Sequence, residues 1–200
     1  MPCLVVSSLT AARASLVKGL IVDRVTPWAT GQLDINRMVL NIGGDLIHLG
    51  RGGAKVAIED PARPFDNSPP LTQVVLRNAG LATSGSARRD ATIAGRWYSH
   101  VLDPRSGATA ESIASASVIE PDAATADVAA TVLSILAPAE GLQWAEDLSG
   151  ELSPAAPLAC CIVERDGGVH TNAAWLALSV QPSTPLRRTR PCQSGRRTMP

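Results

Sequence analysis

Asp127 and Thr131 stand four residues apart in TADVAAT (125–131), a run that reads as helix. At that spacing a carboxylate and a hydroxyl share one helix face. Such an oxygen pair can ligate a hard cation such as Mg²⁺, which takes substrate phosphates as further ligands. A solvated surface face has the same residue pattern, and the residues alone leave both readings open. His100, one of three histidines, precedes VLDPRSG (101–107). Imidazole titrates near neutral pH, so His100 is a candidate general base; a strand histidine that only packs or meets water is the other reading.

Other motifs carry less. Gly43-Gly44 would allow close approach of backbone to a ligand, or form a bulge. TSGS (83–86) offers hydroxyls and amides to a phosphate, or an ordinary turn, which the spacing favours. Cys160 and Cys161 lie in an apolar strand and read as packing. No CxxC spacing exists, which argues against a zinc site, and reduced thiols are expected. GxGxxG, Walker and GxSxG motifs are absent.

The elements that must position these residues follow from periodicity and turn chemistry. A helix is expected over 12–25, with Leu16, Val17, Leu20 and Ile21 as its apolar face and Pro27 as its end. Strands are expected on both sides of Gly43-Gly44, over 54–61, once within 71–90 ahead of a Gly/Ser turn, and over 111–121. Hairpins are expected around Gly95 and at Asp166-Gly167-Gly168. A helix capped by Asp122 should run until just before Pro138, with a short helix after it. Many strands with few, non-alternating helices predict an α+β fold, a mostly antiparallel sheet flanked by a few helices.

Length and composition set the frame. Two hundred residues with 45% apolar content suit one domain over 1–180. Residues 181–200 read as an Arg/Pro-rich, disordered tail. The last 18 residues hold five arginines and no acid, leaving a body of net charge −5 that gives no footprint for nucleic acid. No apolar run approaches the ~20 residues that span a membrane. The N-terminus is a poor signal peptide, so a cytoplasmic chain is expected.

The series KGLIVDR, NIGGDLIHLG, VAIEDP, LATSG, SHVLDPRSG and TADVAAT resembles the ApbE family of FAD:protein FMN transferases, over about residues 12–175. The resemblance implies a Mg²⁺-dependent enzyme. It would take FAD as substrate, attach FMN through a phosphoester to a threonine or serine of a partner flavoprotein, and release AMP. It implies Asp127, Thr131 and Ser15 as metal ligands, His100 as catalytic base, and Lys18 and Val101 at the flavin nucleotide. Asp103 and Arg105 would hold the turn that aims His100, with Arg105 in structural pairs. The sequence departs from the family pattern at Ala12, where a polar residue is expected. Family members, often exported and membrane-anchored, also carry a long preceding segment that covers FAD. A partial flavin transferase domain, with weak FAD binding and little turnover, is therefore expected. The alternatives are an inactive remnant that binds flavin nucleotide or Mg²⁺ weakly, and a non-catalytic α+β interaction domain.

Overall fold

The computed structural model describes residues 3–32, 36–65, 67–85, 91–94, 96–152 and 157–180. The chain opens with helix α1, Cys3–Gln32, longer at both ends than the expected 12–25. Pro27 lies inside it rather than ending it. Proline removes one backbone hydrogen bond, but the Thr26 and Thr30 hydroxyls donate to the carbonyls of Val22 (2.7 Å) and Pro27 (2.9 Å). Burial of Val22, Thr26 and Ala29 holds the helix on the body past the proline. The face is also the reverse of the expected one. Val17, Leu20 and Ile21 are exposed, with Val25 and Trp28, while Gly19, Val22, Thr26 and Ala29 face inward. Small residues win that face because α1 crosses a neighbouring helix at close range.

β1 (Arg37–Ile42) and β2 (Asp45–Gly50) form a hairpin. Gly43 and Gly44, at φ 61° and 102°, supply the two positive φ angles of its tight turn, so they form a hairpin turn rather than a bulge. β3 (Ala54–Ile58) and β4 (Thr72–Leu76) are joined through the proline-rich loop. The segment expected to hold one strand holds two, because β5 (Ala79–Gly85) follows β4 after Arg77-Asn78. Thr83 to Gly85 are thus strand rather than turn; Ser86 lies outside the described residues. β6 (Ala91–Ile93) and β7 (Arg96–Tyr98) pair as the expected hairpin, although Gly95 itself lies outside the described residues.

β8 (Ile113–Glu120) leads into α2, Ala123–Leu133, capped by Asp122 as expected. α2 ends earlier than Pro138, where Ser134 donates its hydroxyl to Thr131 O (2.7 Å). Pro138 instead opens α3, Pro138–Leu152, where its missing N–H is harmless. β9 (Ala159–Glu164) and β10 (Val169–Thr171) form the last hairpin. The sequence reading missed α4 (Ala173–Leu178), capped by Asn172, and β11 (Ser179–Val180). Residues 181–200, expected to be a tail, lie outside the described residues.

One six-stranded sheet, ordered β1-β2-β5-β8-β9-β10, is antiparallel throughout. Its helix-facing side packs Ala82, Ala116, Val118 and Ile162 against Ala126, Ala130 and Leu133 of α2 and Ala145 of α3. On its other side Leu81, Ile119 and Cys161 pack with Trp175 and a three-stranded sheet, β11-β4-β3. The α+β expectation holds. Cys160 and Cys161 are buried free thiols pushed up to about 12 by burial, which fits packing rather than nucleophilic use. Among the described residues no helix is long and apolar enough to cross a membrane.

Candidate metal and nucleotide site

The site is built on α2. Ala123 and Ala124 are buried because two other elements press on its first turn. A Cβ on Gly19 of α1 would lie 2.6 Å from Ala124 Cα, and one on Gly80 of β5 would lie 2.7 Å from Ala123 Cα. Only glycine permits either contact. The amides of that turn are already satisfied. Asp122 Oδ1 accepts from Thr125 N (2.7 Å), while Asp23 of α1 accepts from Ala123 N (2.7 Å) and Ala124 N (2.9 Å). A helix N-terminus often binds phosphate; here two protein carboxylates occupy it.

One turn further on, Asp127 is only 5% exposed. Thr131 is half-buried on the same face and donates its hydroxyl proton to Asp127 O (3.0 Å). That bond leaves the Thr131 oxygen with lone pairs for another partner. A ladder of hydroxyls continues, since Ser84 of β5 donates to Ser134 Oγ (3.3 Å). Among the described residues no group of three or more His, Cys, Asp or Glu could hold a metal. One buried carboxylate with neutral oxygens fits Mg²⁺, which keeps waters and shares phosphate oxygens, and does not fit zinc.

On α1, Lys18 Nζ pairs with Asp45 Oδ2 of β2 at 2.9 Å, and Asp45 is 2% exposed. Lys18 also lies against the hairpin turn, its Cδ 3.7 Å from where a Gly43 Cβ would stand. Ser15 lies one helical turn before Gly19 on α1; its side chain lies outside the described residues. His100 is exposed at the bend after β7, and Val101, half-buried, donates its amide to Ser99 Oγ (3.2 Å). Asp103 folds the next turn. Its carbonyl accepts from Gly107 N (2.7 Å) and its carboxylate from Arg105 N (2.9 Å). The Arg105 guanidinium pairs with Asp103 (3.0 Å) and Glu140 (3.4 Å), as expected of a structural arginine. Its hydrogen bonds hold the Asp103 carboxyl below the usual carboxylate range.

Asp127 and Thr131 thus stand on α2, Lys18 and the backbone of Ser15 on α1, which crosses α2 at Gly19 and Asp23, and His100 and Val101 on a separate segment. Sequence reasoning missed Asp23 and Asp45. Both stand within the quoted motifs, and Asp45 beside the apolar run LIHL is itself a signal, because a buried carboxylate requires a partner. Glu120 was also missed. It is buried at the end of β8, where desolvation and then Asp122 push it up to about 7.

A helix-backed antiparallel sheet of this kind is also found in solved flavin transferases. The superposition on the ApbE protein of Thermotoga maritima has a TM-score of 0.71, at 23% identity over 84% of this chain and 52% of that one. For the apo flavinyl transferase ApbE of Pseudomonas stutzeri the values are 0.63, 31%, 82% and 50%. The ApbE family model matches residues 12–153, and the chain belongs to the ApbE family. It is 35% identical over 113 residues to the FAD:protein FMN transferase of Escherichia coli K12, covering 54% of this chain and 31% of that protein. Against the Haemophilus influenzae FAD:protein FMN transferase it is 30% identical over 138 residues, covering 66% and 39%. The chain therefore spans about a third of the curated relatives it matches and half of the solved ones.

Proposed function

We propose that this chain carries the metal and phosphate wall of a FAD:protein FMN transferase. The observation that carries the reading is the α2 pair, a buried Asp127 carboxylate with the Thr131 hydroxyl oriented by its own backbone bond. Charge balance supports it. A dianionic pyrophosphate needs neutralisation, yet Lys18 and Arg105 are paired with carboxylates and the α2 amides are filled. Mg²⁺ held by Asp127, Thr131 and Ser15 would supply the missing positive charge. In the transfer, the hydroxyl of a threonine or serine on an acceptor flavoprotein gives its proton to His100 and bonds to the FMN phosphorus. The bond from that phosphorus to the bridging oxygen breaks, and AMP leaves. Lys18 and Val101 would line the flavin nucleotide.

A second reading, weak nucleotide and Mg²⁺ binding with little turnover by this chain alone, is favoured by the exposed stripe of α1. A FAD site buries most of its ligand, and here Val17, Leu20, Ile21 and Trp28 meet solvent. Mg²⁺-dependent FMN transfer to a threonine-bearing acceptor peptide separates the two. If transfer is measurable, His100→Ala should lower it by about 10² to 10⁴ while FAD binding persists. Equal loss of binding and transfer would make His100 a structural residue.

A further inference from the structure

Asp23 reaches across 100 residues of sequence to take the first two amides of α2. Asp122 already caps that helix locally through Thr125. A second carboxylate is not needed to start the helix, and it comes from the element that also bears Lys18 and Ser15. Two N–H groups held at 2.7 and 2.9 Å by one carboxylate fix both the rotation and the axial position of α2 on α1. Gly19, one turn before Asp23, lets the helices touch at the same place. From this anchor Asp127 lies ~4.5 Å along α2 and Lys18 ~7.5 Å along α1, at 1.5 Å per residue. A shift at the anchor therefore carries directly into the spacing of the groups beyond it.

We propose that Asp23 is a positioning residue that sets the Asp127/Thr131 pair against the Ser15 and Lys18 strip of α1. This rests on the reading of that pair as a metal site. The test is Mn²⁺ titration of the intact 200-residue chain, followed by loss of the free-ion electron paramagnetic resonance signal, with thermal melts in parallel. Asp23→Ala should weaken Mn²⁺ binding by about 10- to 100-fold, as loss of a group that orients metal ligands does. Asp23→Asn, which keeps a carbonyl acceptor, should fall between it and the parent, and it carries the test if the alanine variant does not fold. Asp122→Ala removes the local cap alone, so it should lower the melting temperature yet leave Mn²⁺ affinity within about twofold of the parent. Unchanged affinity in Asp23→Ala, or equal losses in Asp23→Ala and Asp122→Ala, would overturn the positioning role and leave the metal site standing. A parent chain that binds no Mn²⁺ overturns the metal reading and this proposal together.

Discussion

The two faces of α1 follow opposite rules. The inner face uses the smallest side chains, and its tightest contact is Gly19 against Ala124. The outer face carries the largest apolar side chains, with Trp28 65% and Val17 49% exposed. Burial of apolar area would order the faces the other way. Close approach of α1 to α2 decides the inner face instead, since it lets Asp23 reach the α2 amides. Side-chain size, and not hydrophobicity alone, selects which face of a helix turns inward at a close crossing.

The contrast is testable by substitution. Gly19→Val should be the most damaging change on α1. A branched side chain placed 2.6 Å from Ala124 Cα separates the helices, and overpacking of this kind destabilises by about 3 kcal/mol or more in a urea melt. A variant as stable as the parent would mean that the helices need not touch. Next in size is Asp23→Ala, which leaves two amides without their acceptor and should lower stability by about 1–2 kcal/mol.

Glu120 gives an effect of similar size that appears only with pH. Its carboxyl is raised from 4.5 to about 7 in the folded chain, so the fold binds this proton more tightly than the unfolded state does. That contribution to stability is complete below about 4.5 and is lost as pH rises towards about 7. Glu120→Gln should therefore match the parent at pH 4.5 and exceed it at pH 8, by on the order of 1–3 kcal/mol. A difference that does not change with pH would dispose of the buried-acid assignment. The smallest effect belongs to the outer face of α1. Leu20→Gln and Ile21→Gln should each shift stability by no more than about 0.5 kcal/mol, the ordinary range for exposed sites. A loss above about 2 kcal/mol in either variant would show that this face is covered in solution.

Local chemistry was readable in the sequence. Asp122 as a cap, the turn at Asp166-Gly167, and the shared face of Asp127 and Thr131 each depend on residues within four positions of one another. What could not be read depends on distant partners. Pro27 looks like a stop until the burial of Thr26 and Ala29 is known. β11 exists only through pairing with β4, about a hundred residues away, and Trp175 is held in the core that this pairing helps to close. Asp23 reads as a solvated charge until Ala123 and Ala124 arrive beside it. The orientation of α1 failed for the same reason, because apolar periodicity marks an amphipathic helix without saying which neighbour comes close.

The most direct measurement is calorimetric titration of Mg²⁺ into the chain in the presence of FAD, for the parent and for Asp127→Asn. The substitution keeps the size and polarity of the buried side chain and removes its charge. The account predicts saturable Mg²⁺ binding by the parent and none detectable by Asp127→Asn, with superimposable thermal melts. Equal Mg²⁺ affinity in the two proteins would contradict the placement of the metal on α2.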